Sequence, residues 1–289
     1  MKLAGKCFKK NIGLVQMLFA VVFVPSNFPP SVYHAPFATK HSNSRFSTWA
    51  AEQTTETLNS FKSGKSFREA LSQLAKKRTE LQQAITAEDF NYQLKTDTKA
   101  ELFGKPRTKN YTHTLGWGRN AVYKNKSPEV DSLAAIVEQY GSLRDASLNG
   151  CRTALLRETE YLSIDGIFLI GTKIHRIKDP YTYGLIQIQN GSHQRVESVL
   201  EDIFKRLELA VSVGRKQKAI QIASAAYGYY QATPYFRGTA AIGRVYWSAV
   251  ATFILGKQVI VPGDIDIRAF ILKQNEFVDW LAPILLSKS

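Results

Sequence analysis

The run from Gly238 to Leu255, GTAAIGRVYWSAVATFIL, contains a single charged residue, Arg244. A helix with no polar face belongs in the middle of its domain. Other helices must then surround it, and this requirement predicts a mainly α fold.

The rest of the chain supplies the shell. From Phe46 to about Gln93 the pattern is helical. The stretch SFREALSQLAKKRTELQQAI puts Phe67, Ala70, Leu71, Leu74, Leu81 and Ile85 near one face, with Lys76, Lys77 and Arg78 on a solvated one. Ser127, Pro128 and Glu129 open a further helix that ends at Gly141. Another is expected over roughly Leu143 to Tyr161. Four more patterns follow: Gln194–Val213 capped by Ser192, Lys216–Gln231, Gly238–Leu255 and Asp264–Leu286. In the last, Asp264 and Asp266 suit the N-terminal end, and Phe270, Phe277, Trp280 and Leu281 supply the buried face.

The period changes between Gly166 and Gly191. Ile167 to Ile170, Ile174, Ile177, Leu185, Ile186 and Ile188 alternate with turn signals at Gly171, Asp179-Pro180, Gly184 and Asn190-Gly191. One or two β-hairpins are expected here and nowhere else. Lys95 to Lys126 reads as a loop region in which Tyr111 and Trp117 pack on the domain. Its mixture of basic and aromatic residues lacks a sheet platform, so specific nucleic-acid binding is not expected.

The amino terminus has Lys2, Lys6, Lys9 and Lys10 ahead of an apolar run from Ile12 to Val24, then Pro25. That is the layout of a secretory signal, and the run is short of the about 20 residues a span needs. Secretion is expected. The alternatives are a cytoplasmic chain or one held at a membrane by this run. Pro-, Ser- and Asn-rich sequence follows, so residues 1–45 are assigned to a leader and linker outside the fold. Residues 46–126 form an N-terminal helical and loop region, and 127–289 a helical core.

The 289 residues carry 38 Lys and Arg against 24 Asp and Glu, a net charge of +14. That balance favours anionic partners, an anionic surface among them, without choosing one. Cys7 and Cys151 give no disulfide framework and no CxxC pair. No two of the five histidines sit at helical ligand spacing, so no metal site is expected.

The mouth of the central helix is the candidate site. The amides of Thr239, Ala240 and Ala241 have no acceptor inside a helix that starts there. Gly238 lets a ligand oxygen approach the backbone. Arg237 can reach over the mouth, and Arg244 can turn back along the helix. Amides at a positive dipole end beside guanidinium groups bind phosphate. The competing view is that Thr233 and Thr239 cap a core helix while both arginines pair with acidic neighbours.

The spelling TPYFRGTAAIGR resembles the signature of the Fic (Fido) superfamily, in which His-Pro-Phe leads through an acidic residue and Gly-Asn-Gly to two arginines. Pro234, Tyr235, Gly238 and Arg244 match that pattern. The resemblance covers about Ser127 to Leu286. It implies a helical core around the motif helix, with the β stretch as a small flap on which a target protein docks. It also implies a nucleotide or nucleotide-sugar held by Thr233, Arg237, Gly238, Thr239, Ala240 and Arg244. The departures are chemical. Thr233 replaces the histidine base, and a threonine hydroxyl is no base near neutral pH. Arg237 replaces the acidic magnesium ligand, which argues against magnesium. His175 and Asp179, in the flap, are the nearest candidates for a base.

Three functions follow. One is a secreted Fido-like effector that binds a nucleotide and modifies or engages a partner protein, as a transferase or a pseudoenzyme. The second is a non-enzymatic interaction module that keeps only the fold. The third rests on Glu158-x-Glu160, which resembles the paired glutamates of ADP-ribosyltransferases but falls in an expected helix.

Overall fold

A computed structural model describes residues 28–33, 40–88, 100–107, 112–115, 158–176, 186–190 and 193–287. Pro30–Tyr33 and Ala100–Leu102 are short 3-10 turns. The α-helices are α1 (Lys40–Lys62), α2 (Phe67–Glu88), α3 (His193–Ser212), α4 (Arg215–Ala232), α5 (Thr239–Leu255), α6 (Ile265–Ile271) and α7 (Gln274–Leu286). The strands are β1 (Thr112–Leu115), β2 (Glu158–Leu162), β3 (Phe168–Arg176) and β4 (Ile186–Asn190).

The fold is mainly α, and α5 is its centre. Every residue from Ile242 to Thr252 is buried, and α1, α2, α4 and α6 pack on it. Each large apolar side chain buried here stabilises the fold by on the order of 1.5–3 kcal/mol. Gly243 brings α5 close to α4. A Cβ at Gly243 would lie 2.6 Å from the Tyr229 ring and 2.7 Å from the Tyr230 hydroxyl. Tyr229, Tyr246 and Trp247 meet edge to face around this contact. The buried phenols of Tyr229, Tyr246 and Tyr227 donate to the carbonyls of Thr239, Phe67 and Leu272.

One buried cluster extends from Phe28 to Leu285. Phe28 and Tyr33 belong to it, so this part of the expected linker lies inside the fold. α1 likewise starts at Lys40, within the presumed linker. Its buried stripe of Ser47, Ala50, Thr54, Leu58 and Phe61 is partly polar, which hides it from apolar periodicity. The helical pattern expected from Phe46 to about Gln93 is two helices, and α2 opens through reciprocal bonds between Ser66 and Glu69. Arg78 is a correction. It is 9% exposed rather than solvated, its guanidinium lies over the Phe103 ring, and it donates to Gln82. Spaced four and seven residues from Leu74 and Leu71, Arg78 shares their face, four residues short of Gln82.

The sheet has the order β1-β4-β3-β2, antiparallel throughout. β1 comes from the expected loop region. β2 replaces the end of the helix expected over Leu143–Tyr161, so Glu158 and Glu160 lie on a strand, with a register irregularity between them. Tertiary bonds decide this. The Tyr161 phenol donates to Asp202 on α3, and Arg206 donates to the Leu162 carbonyl at 2.7 Å. The Gln274 side chain bonds both backbone groups of Leu162. That contact also explains why the helix expected from Asp264 to Leu286 is two helices. The Lys273 amide donates to Glu276, so α7 starts afresh where Gln274 can reach β2.

The helix expected from Ser127 to Gly141, the 126/127 boundary, Ser192, Asp179, Tyr111, Trp117 and the apolar run Ile12–Val24 lie outside the described residues. No helix among the described residues is long and apolar enough to cross a membrane.

Candidate functional site

The sequence TPYFRGTAAIGR spans the connection between α4 and α5 and the first turns of α5. α4 ends at Thr233, which has a φ of 40°. That left-handed conformation is costly for a branched residue. Its amide closes the helix on the Tyr229 carbonyl, and its own Oγ1 is buried without a hydrogen-bond partner among the described residues. α5 opens at Gly238, whose φ is 85°.

The intervening loop is zipped to a distant segment. The Gly104 amide donates to the Arg237 carbonyl at 3.0 Å, and the Arg237 amide to Leu102 at 3.2 Å. The Phe236 amide donates to Lys105, and the Arg107 amide to Pro234. Gly104 makes the zipper possible. It has a φ of 73°, and a Cβ there would lie 2.0 Å from the Ala75 carbonyl oxygen. Arg107 sits beneath the end of α4. Its Nε and Nη2 donate to the carbonyls of Thr233 and Ala232, both at 2.6 Å. A cation suits the negative pole of a helix C-terminus.

The predicted residues divide into two groups. Arg237, Gly238, Thr239 and Ala240 stay together at the α5 mouth. The first internal bond runs from the Ile242 amide to the Gly238 carbonyl, at 2.9 Å. Among the described residues, the amides of Thr239, Ala240 and Ala241 have no acceptor, and neither does Nε of Arg237. Ala240 is exposed, so water or a ligand can reach the mouth.

Arg244 leaves this group. It is 8% exposed and donates from Nη1 to the Tyr33 carbonyl at 3.1 Å and from Nη2 to Val32 at 2.7 Å. Its cation lies 5.5 Å from the centre of the Tyr33 ring. Burial lowers its pKa, while Tyr33, Tyr230, Asp266 and Asp264 oppose that shift. The expectation that Arg244 turns back to the mouth is therefore corrected. The carbonyls of the amino-terminal segment take its donors.

Arg78 stands at the mouth in its place. A Cβ at Gly238 would lie 3.3 Å from Cγ of Arg78 and 3.8 Å from its Nε. The sequence signal for Arg78 was its position in the Leu71–Leu74 stripe. The signal for Arg107 was absent, because a lone arginine in a loop does not announce which helix end it caps. His175 lies on β3, paired in register with Gln187. Among the described residues no three His, Cys, Asp or Glu side chains gather as a metal cluster.

No protein-family model and no curated protein matches this chain. The site must therefore be read from its chemistry. A set of three free amides, a buried guanidinium nitrogen without an acceptor and a second arginine alongside is a donor set with no base in it.

Proposed function

We propose that this protein binds a phosphate-bearing ligand, a nucleotide or nucleotide-sugar, at the amino end of α5, and that it acts by binding rather than by group transfer. The carrying observation is the set of unspent donors at Arg237 and Thr239–Ala241 beside the Gly238 turn. Amides at a positive dipole end stabilise an anion without any metal, and a guanidinium adds a charge-assisted bond. Thr233 stands where a transferase of the Fido type would need its base, and a hydroxyl cannot accept the acceptor's proton near neutral pH. In this reading the helical core is a degenerate Fido-like scaffold, the sheet is the face that engages a partner protein, and the signal-like leader directs secretion.

Titration calorimetry of the intact chain with ATP and with UDP-glucose tests the proposal. Binding by the wild type is expected, weakened about tenfold or more in Arg237→Ala, the scale of one lost charge-assisted bond. Absence of heat with both ligands discards the phosphate site. Binding that Arg237→Ala leaves intact discards this assignment of it.

A further inference from the structure

Phe103 follows the 3-10 turn Ala100–Leu102 and is half-buried at the α5 mouth. A Cβ at Gly238 would lie 3.6 Å from Cδ1 of its ring. The ring is thus in van der Waals range of the turn that precedes the free amides of Thr239–Ala241. The guanidinium of Arg78 lies over it, 4.5 Å from the ring centre. Among the described residues no second ring or cation stacks on Phe103. It belongs neither to the buried apolar cluster nor to the side chains packed against that cluster.

The backbone, rather than core packing, holds the ring in place. The Phe103 amide donates to the Ala100 carbonyl at 3.2 Å, and the Phe103 carbonyl accepts from Oγ1 of Thr79. Phe103 and Arg237 form a parallel bridge, made by the Gly104 amide on the Arg237 carbonyl and the Arg237 amide on the Leu102 carbonyl. The segment that carries the ring is therefore fastened to the loop that carries Arg237. A phenyl ring left half out of water's reach, outside the core, contributes only part of its burial energy to the fold. Fixed beside an anion site, it offers a preformed surface to a flat group at little further cost in ordering.

We propose that Phe103 is the platform on which the base of a bound nucleotide stacks, while its phosphates accept from the Thr239–Ala241 amides and Arg237. This inference rests on the phosphate reading of the α5 mouth and adds the residue that selects among phosphates. Arg78 covers one face of the ring, and the base takes the other. Stacking asks only for a π-face, so purine and pyrimidine nucleotides both qualify. Inorganic phosphates and simple sugar phosphates have no such face and gain nothing from the ring.

ATP and tripolyphosphate, the same anionic chain without a nucleoside, are the probes, each titrated into the intact chain. Tripolyphosphate carries the greater charge, so amides and guanidiniums alone would favour it. ATP is nevertheless expected to bind about tenfold or more tightly, the scale of one base stack. Phe103→Leu keeps apolar bulk and removes the π-face. It is expected to bring ATP to the affinity of tripolyphosphate or below, and to leave tripolyphosphate unchanged. Phe103→Trp is expected to keep the preference for ATP and to add fluorescence that ATP quenches and tripolyphosphate does not. That readout stands if Phe103→Leu fails to fold. Tripolyphosphate binding as tightly as ATP overturns the platform. So does a folded Phe103→Leu chain that keeps the preference or loses both ligands alike, and so does a Phe103→Trp signal indifferent to ATP. Each of these leaves the phosphate site standing, whereas binding of neither probe to the wild type removes site and platform together.

Discussion

The guanidinium of Arg244 holds the backbone of Tyr33, 211 residues earlier in the chain, with Nη1 3.1 Å from the carbonyl oxygen. Residues 28–33 are thus fastened to the central helix rather than trailing from it. Tyr33 returns the contact through its phenol, which meets Thr54 of α1 at 2.7 Å.

Loss of that clasp should cost stability. Arg244→Ala removes two charge-assisted bonds and leaves two buried carbonyls without them, a cost of about 3 kcal/mol. Urea unfolding should show a lower midpoint with an unchanged slope. Amide exchange should rise in residues 28–33. An arginine serving only a ligand would leave both measurements as they are, so an unshifted midpoint refutes the clasp.

Two left-handed positions around the motif should respond in opposite directions. Thr233 bears a side chain at a φ of 40°, so Thr233→Gly should raise stability by about 1 kcal/mol. Gly104→Ala puts a methyl group into the Ala75 carbonyl and should cost more than about 3 kcal/mol, enough to open the zipper. Gly64, with a φ of 87° and open space, is the control, and Gly64→Ala should cost only about 1 kcal/mol. Equal costs at Gly104 and Gly64 contradict the close approach.

Arg206 ties three elements together. It donates to Asp202 at 2.8 Å, to Gln221 at 3.1 Å and to the Leu162 carbonyl. Both members of the ion pair are nearly buried. Arg206→Met should cost about 3–5 kcal/mol, because Asp202 is left as an uncompensated buried charge. Adding Asp202→Leu should recover much of that loss, since an apolar pair can replace a buried ionic one. A double mutant as unstable as the sum of the singles shows that the two side chains act independently.

Alkaline pH should unfold the chain. Burial raises the phenol pKa of Tyr161, Tyr229, Tyr230, Tyr235 and Tyr246. In the unfolded chain these groups ionise near about 10. Below that pH their contribution is fully present. Above it the unfolded state loses protons that the folded state keeps, so stability falls as pH rises. Arg107 opposes this, because its lowered pKa of about 10 makes the folded chain shed that proton first. Arg244, whose pKa burial also lowers, opposes it in the same way, and five phenols outweigh the two guanidiniums. Tyrosinate absorbance and loss of helical circular dichroism should rise together. Ionisation of these tyrosines in a chain that is still folded contradicts the prediction.

The helical shell was legible because each helix repeats its own period. α3, α4 and α5 lie within a residue or two of their expected bounds, and the whole of Ile242–Thr252 is buried as its composition requires. α1 was legible only from Phe46, because Ser47 and Thr54 stand in its buried stripe and carry no apolar signal. β2 was read as helix because TEYLS has no strong β period. Its strand form depends on bonds to Asp202, Arg206 and Gln274, which lie on other elements.

The candidate site divides along the same line. Gly238 opening an apolar helix is a local pattern, and a free amide end follows from it wherever the helix lies. The partner of each guanidinium is not local. Arg107 donates to a carbonyl 126 residues away, and Arg244 to one 211 residues away. The sequence by itself determined a central helix with an electropositive mouth, since periodicity and the helix dipole act within a few residues. Only the tertiary structure decided which arginines stand there, because a flexible cation takes whichever acceptors the packing of the chain brings within reach.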